Sequence, residues 1–436
     1  MTNEIVEKLE DAGFETYLVG GCVRDELLSR ENFDIDITSQ ARPDEILEVF
    51  KDYKTIDIGK KYGTIKVILD SSEYEITTMR TENAYVDKRH PSLVYYTDDI
   101  YEDLKRRDFT INAMAKRKGR IIDPFNGKDD LEKKIIRAVG NPYDRISEDR
   151  LRSLRACRFA TVLGFDIDKD LKEAIKGQSI DDISKERIQD EINKILLAAR
   201  PSRGIRLLDE LNLLESIFPE VKKTVGFDQH SSHHADDVFN HTLKVLDKTP
   251  PILEVRMAAL YHDVGKIDTF FIDENGEGRF FGHQNISEEL LIKRLKELKY
   301  SKKFIENTSI LVKRHMDNTN TYSKKSIRKL LRNIGEENLI NLFALQRADV
   351  LSTKHADDSN IDLGLSLLAE VKDDDIPKNR NEIKINGNDL KDLGFKEGKE
   401  LGNTLREIEN LIYEEKLINN KKDIINYLKE SFDIVD

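Results

Sequence analysis

The order of apolar and polar residues changes near residue 145 of the chain. Before that point, short segments with the apolar spacing of a helix alternate with short segments that have the two-residue period of a strand. They predict helices over 5–12 and 23–28 and strands over 17–19, 33–37, 62–69 and 73–78. The last two strands flank Asp70-Ser71-Ser72 and should form a β-hairpin. After residue 145 apolar residues recur at helical spacing and strand-like alternation almost disappears. The pattern therefore predicts a small mixed α/β domain followed by helices.

Length and composition place this chain among multidomain proteins. Its 436 residues suggest two to four domains, because single cores stop growing well below that length. With 38% hydrophobic and 35% charged residues and no apolar run near about 18 residues, we expect no membrane insertion or export and a cytoplasmic location. Cys22 and Cys157 are far apart and sit in apolar contexts, so we expect reduced core residues and no disulfide.

The charge distribution is uneven. A net charge of −12 argues against nonspecific binding of nucleic acid over the whole surface, because such binding needs clustered Lys and Arg. Basic stretches nevertheless occur at 105–107, 150–158 and 324–332. A local RNA-binding track is therefore compatible with an acidic chain.

A pair of aspartates stands in the segment Phe33-Asp34-Ile35-Asp36-Ile37. Strand alternation places Asp34 and Asp36 on one face and the apolar residues on the other. Hard carboxylate oxygens spaced in this way suit Mg²⁺, which takes substrate phosphates as further ligands. Taken alone, such a pair is more often an exposed edge strand. Glu75, on a later strand, is either a third carboxylate of this group or an outward surface residue.

A glycine turn precedes the aspartates. The predicted strand 17–19 runs into Gly20 and Gly21, and Arg24 and Asp25 follow on a short helix. Glycine lets the backbone approach an anion closely, amide N–H groups bind it, and Arg24 adds donors. Close to an Asp-x-Asp strand, this turn predicts a triphosphate held beside metal ions.

Two adjacent arginines form a second candidate anion site. Arg106 and Arg107 could clamp phosphate, with Asp108 orienting one of them. For this tripeptide alone, a solvated helix end is the more frequent case.

Four ordered motifs resemble the bacterial-type (class II) CCA-adding tRNA nucleotidyltransferases and their poly(A) polymerase relatives. The motifs are Leu18-Val19-Gly20-Gly21-Cys22-Val23-Arg24-Asp25, Asp34-Ile35-Asp36, Arg106-Arg107-Asp108-Phe109-Thr110-Ile111-Asn112-Ala113 and Glu148-Asp149-Arg150-Leu151-Arg152. The resemblance covers roughly residues 15–220. It implies an α+β fold with a polymerase-beta-like nucleotidyltransferase head, followed by an all-helical neck, body and tail. We place the head at 1–140, the helical neck at 141–225, the HD-type body at 226–355 and the tail at 356–436.

The resemblance also implies roles for the motif residues. Asp34 and Asp36 would hold the catalytic metals, Gly21 and Arg24 would contact the triphosphate, and Arg106 or Arg107 would assist. We include Gly20, Asp25 and Asp108 in the expected nucleotide site. The segment 80–91 resembles a flexible loop present in enzymes that add the complete CCA sequence.

The fourth motif predicts base recognition. Ser147 can cap a helix whose first turn carries Asp149, and a basic stripe then recurs at three-residue intervals. The stripe consists of Arg152, Arg155 and Arg158. A carboxylate beside a guanidinium matches the exocyclic amine and ring acceptors of cytosine and adenine. In isolation this spacing would more often be a surface salt bridge. The resemblance implies that these residues template the incoming base.

Histidines and aspartates of the helical region form another group. The segment around His262-Asp263, followed by Gly265-Lys266, resembles an HD-type metal phosphohydrolase domain. Neighbouring helical side chains point about 100° apart, so they can share an ion only between several helices. His241 and Asp349 would complete this second metal site. His283 and His315 are further candidates, whereas we interpret His230, His233 and His234 as linker residues.

Together these patterns predict an enzyme that adds C, C and A to tRNA 3′ ends from CTP and ATP. The expected cofactor is Mg²⁺, with a second divalent transition metal at the HD-type site. One alternative is a poly(A) polymerase or an A-adding tRNA enzyme. Another is an HD nucleotide hydrolase whose head binds RNA passively. We expect tRNA, CTP and ATP as partners and no association with a membrane; the sequence indicates no particular oligomeric state.

Overall fold

The computed structural model describes residues 2–31, 35–57, 59–70, 72–85, 91–230, 236–318, 320–354, 356–373, 382–413 and 416–432. The chain forms two compact units, Met1–Pro219 and Glu220–Asp436. Of the candidate site residues, Asp34, His233 and His234 lie outside the described ranges.

A mixed sheet organises the start of the first unit. The strands of this unit are β1 (Thr16–Val19), β2 (Asp36–Ser39), β3 (Lys54–Ile56), β4 (Thr64–Leu69), β5 (Ser72–Thr78), β6 (Arg80–Tyr85), β7 (Pro91–Tyr96), β8 (Ala115–Arg117), β9 (Arg120–Ile122), β10 (Ile135–Ile136) and β11 (Asp166–Ile167). Seven strands pair in the order β3-β4-β5-β2-β1-β8-β9, with β2 and β5 parallel and the other neighbours antiparallel.

The strands predicted over 17–19, 62–69 and 73–78 correspond to β1, β4 and β5, whereas the apolar pattern did not predict β3, β8, β9, β10 and β11. The predicted hairpin is confirmed as β4 and β5. The strand predicted over 33–37 instead begins at Asp36 and continues to Ser39. Residues 80–85 and 91–96 pair as the antiparallel strands β6 and β7, where the resemblance implied a flexible loop; residues 86–90 between them lie outside the described ranges.

Helices cover the sheet and then continue the chain. They are α1 (Thr2–Asp11), α2 (Gly21–Leu27), α3 (Pro43–Val49), α4 (Ile100–Lys105), α5 (Gly127–Lys133), α6 (Pro142–Glu148), α7 (Leu151–Leu163), α8 (Lys169–Lys176), α9 (Lys185–Leu196), α10 (Pro201–Glu210) and α11 (Leu214–Ile217). Apolar residues of α1 and α3, among them Leu9 and Ile46, pack against Ile37 and Ile76 on one face of the sheet. Each fully buried side chain of this size contributes about 1.5–3 kcal/mol. On the opposite face, Tyr17, Val19 and Ala115 pack with Met79 and with Leu104 of α4 in a second apolar cluster.

The second unit is helical, as the apolar periodicity predicts. Its elements are α12 (Pro219–Lys222), α13 (Val238–Lys248), α14 (Leu253–Tyr261), α15 (Lys266–Thr269), β12 (Phe271–Ile272), β13 (Gly278–Arg279), α16 (His283–Glu297), α17 (Lys302–Arg314), α18 (Lys324–Val350), α19 (Ser359–Asp373), α20 (Gly387–Asp392), α21 (Lys399–Tyr413) and α22 (Lys421–Ser431). A break at Gly335 divides α18. The last three helices bury their own apolar cluster, including Leu390, Ile408 and Leu428.

The cysteines and the polarity of the helices were also considered in the sequence. Cys22 and Cys157 are both free thiols, and burial raises the pKa of Cys157 to about 12. Among the described residues, every helix is too short or too polar to cross a bilayer.

The packing of α10 on its neighbours predicts a sharp stability effect. A Cβ on Gly204 would overlap the Ile195 side chain and lie 2.8 Å from Thr161 Oγ1. Gly204→Ala should therefore lower the free energy of unfolding by about 1–3 kcal/mol, measured by denaturant titration. Gly402→Ala on α21 is the control, because its nearest neighbour is an Arg406 nitrogen at 3.9 Å. It should leave stability unchanged or raise it by about 0.5–1 kcal/mol. Equal losses in both variants would contradict the packing explanation.

Candidate active site

The carboxylate of Asp36 stands at the start of β2. Ile35 and Ile37 pack into the core on one side, so Asp36 points to the other face of the sheet and is exposed. Glu75 of β5 is its in-register neighbour on a parallel strand, which puts both carboxylates on the same face. The alternation predicted for Ile35-Asp36-Ile37 is thus present, and these hard oxygens suit Mg²⁺.

A cavity of about 580 Å³ opens beside Asp36. Its lining contains every residue of the predicted nucleotide site: Gly20, Gly21, Arg24, Asp25, Arg106, Arg107, Asp108, Asp149, Arg152, Arg155 and Arg158. With Lys194, seven cationic side chains line the cavity, against the four carboxylates of Asp25, Asp36, Asp108 and Asp149. The excess of positive charge suits a polyanionic ligand, although the whole chain has a net charge of −12.

Gly20 lies between β1 and α2 at the wall of this cavity. Its backbone has φ 70° and ψ −126°, a conformation that residues with a Cβ rarely adopt. A Cβ at this position would lie 2.8 Å from Arg107 Nη1 and 3.4 Å from Asp36 Oδ2. Glycine is therefore required both by the turn and by the close approach of two site residues.

Arg24 is held by a planar set of acceptors. Its Nε and Nη2 donate to the two carboxylate oxygens of Asp25, each at 2.8 Å, and its Nη1 donates to Asn112 Oδ1 at 2.7 Å. This bidentate arrangement fixes the guanidinium at the cavity wall. The sequence motif that contains Asn112 gave this residue no role of its own, yet Asn112 connects Arg24 to the next ion pair.

Asp103, rather than Asp108, orients the adjacent arginines. Its buried carboxylate on α4 accepts from Arg106 Nη2 at 2.9 Å and from Arg107 Nη2 at 3.3 Å. Burial opposes ionisation, but the two guanidiniums hold the pKa of Asp103 below its usual value. The expected pairing with Asp108 was wrong because Asp103 lies three and four residues earlier, on the helix that ends beside the arginines.

Asp108 instead pairs with Arg155 of α7. Its Oδ2 accepts from Arg155 Nε at 2.8 Å, and its Oδ1 accepts from Phe109 N–H at 2.8 Å and from Asn112 Nδ2 at 3.1 Å. Burial alone would raise the pKa of Asp108, but the charge of Arg155 and these hydrogen bonds lower it to about 2. The residue is therefore ionised and holds the first long helix of the neck against the head motif.

The base-recognition motif differs from its expected geometry. Asp149 does not lie in the first turn of a helix capped by Ser147; α6 ends at Glu148, and Asp149 is extended. Its Oδ1 accepts from Leu151 N–H at 3.1 Å, and so satisfies a free donor at the start of α7. Its Oδ2 accepts from Arg187 of α9 at 2.7 Å.

Arg152 has its own partners beside Asp149. Its Nη1 donates to Glu148 Oε2 at 2.5 Å and to the Arg145 carbonyl at 2.8 Å. Asp149 and Arg152 therefore do not form the i,i+3 salt bridge that this spacing more often gives in isolation, and both residues line the cavity. The spacing of three residues could not show that the chain turns between them.

An aromatic ring lies among the arginines of α7. The guanidinium carbons of Arg24, Arg155 and Arg158 lie 5.1, 5.4 and 3.9 Å from the Phe159 ring centroid. Glu191 of α9, which is buried, accepts from Arg158 Nε at 2.5 Å. Sequence reasoning missed Phe159, Arg187, Glu191 and Lys194, because nothing local relates α7 to α9.

A second polar centre is buried in the helical unit. It contains His241 of α13, His262 and Asp263 after α14, His283 at the start of α16, His315 at the end of α17 and Asp349 of α18. His241 Nε2 lies 2.9 Å from Asp349 Oδ1 and 3.7 Å from Asp263 Oδ2. The structure therefore brings together all four predicted ligands and both further histidines. In two sets of three residues, the ligand atoms lie within 4.8 Å of one another; these sets are His241, His262 and Asp263, and Asp263, His283 and His315.

Backbone carbonyls orient three of these imidazoles. Nδ1 of His262, His283 and His315 lies 2.8, 2.9 and 2.7 Å from the carbonyls of Ala259, Phe280 and Val312. An Nδ1–H donated to a carbonyl leaves Nε2 to accept or to bind a metal. His262 Nε2 is buried and has no hydrogen-bond partner among the described residues. This donor set fits a divalent transition metal.

The same cluster has strongly shifted ionisation. Burial disfavours the imidazolium, but Asp263 and Asp349 raise the pKa of His262 to about 9. Burial and the charge of His262 lower the pKa of His315 to about 3. The carboxylates of Asp263, which is buried, and of Asp349, which is partly exposed, therefore attract a positive charge at this centre.

Comparisons with known proteins agree with the order of these features. Three family models match the chain: the poly A polymerase head domain over 16–137, the probable RNA and SrmB-binding site of polymerase A over 164–224, and tRNA nucleotidyltransferase domain 2 over 280–428. The CCA-adding enzyme of Streptococcus thermophilus is 33% identical over 98% of this chain and 95% of that protein. The CCA-adding enzyme of Ligilactobacillus salivarius is 35% identical over 98% and 95%.

A solved structure shows the same fold. The Bacillus stearothermophilus CCA-adding enzyme, crystallised in complex with CTP, matches with a TM-score of 0.77 and 27% identity, over 98% of this chain and 96% of that one. The chain thus has the fold of a nucleotidyltransferase head followed by a helical body. The chain belongs to the CCA-adding enzymes, the tRNA nucleotidyltransferases that the sequence motifs resemble.

The geometry around Gly20 yields a direct test. Gly20→Ala should lower the nucleotidyl-transfer rate by about 10²-fold, because the methyl group displaces Arg107 and Asp36 from their positions. Gly13→Ala is the matched control: it has φ 93°, and a methyl group added there would have nothing within 4 Å. It should reduce stability without a comparable loss of rate. If both variants lost activity equally, backbone strain rather than the site contact would be the cause.

Proposed function

We propose that this enzyme adds C, C and A to the 3′ ends of tRNA from CTP and ATP. One observation carries the proposal: a single cavity is lined by the Asp36 carboxylate, by arginines that can bind phosphate, and by the Asp149 carboxylate with guanidiniums next to it. It is supported by full-length relatives that are CCA-adding enzymes and by the bound CTP of the Bacillus stearothermophilus structure. We further propose the division into head, neck, body and tail at residues 140, 225 and 355.

The reaction end of the cavity is at Asp36. Asp34 and Asp36, with Glu75 on the same sheet face, would hold Mg²⁺. Bound Mg²⁺ neutralises triphosphate charge and favours ionisation of the attacking hydroxyl. The terminal 3′ oxygen of the tRNA adds to the α-phosphorus of the nucleotide, and its proton passes to water. The bond from that phosphorus to the bridging oxygen breaks, and pyrophosphate leaves with the electron pair.

The triphosphate would lie against the glycine turn and the arginines. Gly20 and Gly21 line the cavity next to Arg24, and Arg106 and Arg107 lie at the end of α4, where Asp103 holds them. Because each guanidinium is already held by a carboxylate, little rotamer entropy is lost when phosphate binds. Catalysis by these residues is thus mostly positioning and charge stabilisation.

Base selection is assigned to the other end of the cavity. Asp149 accepts from Leu151 N–H and Arg187, and a carboxylate has about four lone-pair positions. It can therefore also accept from the exocyclic amine of cytosine or adenine. Guanine and uracil place a carbonyl where that amine would be, so they would face a like-charged oxygen. Arg152, Arg155 and Arg158 supply donors for ring acceptors.

Loss of a metal-holding carboxylate should stop the chemistry and spare RNA binding. Asp36→Ala and Asp34→Ala should each abolish extension of tRNA lacking its 3′ end, measured with labelled CTP and ATP. The tRNA affinity measured by filter binding should stay close to that of the unaltered chain. Asp52→Ala, on an exposed turn, is the control. Extension retained in either site variant would refute the assignment.

The same assay separates the candidate products. Addition of three nucleotides, C, C and A, supports the proposal. Long tails made from ATP alone would indicate a poly(A) polymerase, addition of one A an A-adding enzyme, and absence of extension a passive RNA-binding head.

Replacement of the base-recognising residues should alter nucleotide choice. Asp149→Ala or Arg152→Ala should reduce discrimination against UTP and GTP by about 1–3 kcal/mol, measured as kcat/KM ratios. Arg150→Ala is the matched control, since Arg150 pairs with Asp182 at 3.2 Å. Unchanged selectivity in both site variants would contradict the template role.

A second activity is proposed for the buried His and Asp centre. His241, His262, Asp263 and Asp349 would bind a divalent transition metal and support hydrolysis of 2′,3′-cyclic or terminal phosphates. A water oxygen adds to phosphorus, the bond to the leaving ester oxygen breaks, and that oxygen receives the electron pair and a proton from the water. The observation in its favour is that the ligand atoms of His241, His262 and Asp263 lie within 4.8 Å of one another on buried side chains. Purified protein with Ni²⁺, Mn²⁺ or Mg²⁺ that extends tRNA but hydrolyses neither substrate would refute this activity.

A further inference from the structure

A second cavity lies in the first unit, outside the nucleotide site. It has a volume of about 600 Å³ and opens between the start of α3, the turn before β4 and the end of β7. None of the described residues that line it also lines the nucleotide cavity, and none has a part in the proposed reaction. The lining includes Arg42, Asp44, Asp57, Lys60, Lys61 and Tyr96.

Three cationic side chains line this second cavity. Arg42 directly precedes α3, and Lys60 and Lys61 belong to a short 3-10 turn, Lys60–Tyr62. The carboxylates that pair with two of these cations face solvent. Asp44, 2.6 Å from Lys60 Nζ, is 84% exposed, and Asp98, 3.1 Å from Arg42 Nη2, is 69% exposed. Exposed ion pairs contribute little, so both cations can exchange these partners for a phosphate.

Lys61 adds a charge that no described carboxylate neutralises. Its Nζ lies 4.7 Å from the centroid of the Tyr62 ring, and within the described part of the chain it forms no ion pair. A lysine ammonium is a compact, hydrated charge that binds anions without a fixed geometry. The cavity therefore suits an anion that several cations contact together, such as the phosphodiester backbone of a nucleic acid.

An exposed aromatic ring stands beside these cations. Tyr96 is 37% exposed, and the Arg42 guanidinium carbon lies 5.1 Å from its ring centroid. The ring also packs against Gly63, which has φ 87°; a Cβ there would lie 3.0 Å from Tyr96 Cε1. The ring is thus held against the backbone while part of it faces solvent. Aromatic rings next to Arg and Lys bind single-stranded RNA, because bases stack on the ring and the cations bind phosphate.

The sheet places this cavity near the reaction end of the nucleotide site. Thr77 of β5 lines the nucleotide cavity, and its neighbour in register on β4 is Thr64, with hydroxyl oxygens 3.0 Å apart. Gly63, against which Tyr96 packs, directly precedes Thr64. From the spacing of strands and of residues along them, Gly63 Cα lies roughly 14 Å from Asp36 Cα. An RNA strand whose 3′ end reaches Asp36 can therefore also reach this cavity.

We propose that the second cavity binds the 3′ strand of the tRNA, at nucleotides that precede the reacting hydroxyl. Arg42, Lys60 and Lys61 bind backbone phosphates, and Tyr96 stacks with a base. The inference rests on the proposed addition of nucleotides to tRNA and assigns a site to the RNA substrate. Contacts with phosphates and with the face of a base carry little sequence information, so this site accepts the 3′ ends of different tRNAs.

Binding of a tRNA that lacks only its final A tests the cationic side chains. In one chain, Lys60→Ala with Lys61→Ala should weaken this binding about ten-fold, measured by filter binding at fixed salt. The slope of log affinity against log salt should fall by about 1.4, because each phosphate contact to a single strand contributes about 0.7. The KM for tRNA should rise with the loss of affinity, and the KM for CTP should stay the same.

A matched pair of lysines provides the control. Lys51→Ala with Lys54→Ala removes the same charge from exposed residues of the same unit that do not line the cavity. This variant should keep the tRNA affinity, the salt slope and both KM values. Equal weakening in the two double variants would indicate general attraction of RNA to the surface and would overturn the proposed site.

Abasic RNA tests the stacking on Tyr96. One base at a time is removed from the unpaired 3′ end of the same tRNA. At the position that stacks, base removal should weaken binding to the unaltered chain about ten-fold and have no further effect with Tyr96→Ser, since both changes remove one contact. Tyr95→Ser is the control, because Tyr95 is exposed on the same strand and does not line the cavity. Tyr96→Leu replaces Tyr96→Ser if circular dichroism shows that the serine variant unfolds.

The remaining outcomes separate this proposal from the proposed function. Additive losses at every abasic position would show that Tyr96 does not contact the RNA. A rise in the KM for CTP without a change in tRNA affinity would place a nucleotide in the cavity and overturn the assignment to RNA. Failure of the unaltered chain to extend tRNA would refute the proposed function, whereas filter binding needs no catalysis and would still decide whether this cavity binds the tRNA.

Discussion

The nucleotide cavity depends on the ion pair between Asp108 and Arg155. It connects the motif that follows α4 to the first long helix of the neck; Asp108 is buried, and Arg155 is partly exposed to the cavity side. Asn112 donates to the same carboxylate and accepts from Arg24, so one network extends from the glycine turn to α7. Removal of Arg155 would leave the buried Asp108 carboxylate without its cationic partner, which is destabilising. The cavity walls are therefore positioned by charge pairing as well as by apolar packing.

This network explains how an acidic protein presents a basic site. Carboxylates stand behind the arginines of the cavity: Asp25 holds Arg24, Asp103 holds Arg106 and Arg107, and Glu191 holds Arg158. The guanidiniums are thereby fixed while the cavity retains more cationic than anionic side chains. Local field, not net charge, then governs the approach of triphosphate and RNA.

The buried centre of the helical unit follows a different principle. Its histidines come from the ends and faces of several helices, and the carbonyls of the same helix ends set the ring orientation. Asp263 is shared by all of them. Such a charged cluster is costly to bury, and Lys266 Nζ, 2.8 Å from Asp263 Oδ2, compensates part of it; the metal that we propose there would compensate the rest.

The sequence by itself determined many of the local elements and most of the residues that line the cavity, although not Phe159 and Lys194. The alternation in Ile35-Asp36-Ile37, the glycine turn at Gly20 and the arginine motifs predicted the sheet face and the lining residues, because these depend on backbone period and chemistry within a few positions. Only the tertiary structure decided the partner of each charge. Asp149 pairs with Arg187 and not with Arg152, since the chain turns between α6 and α7 and α9 packs alongside. Contacts between residues far apart in the chain arise from packing, which no local spacing encodes.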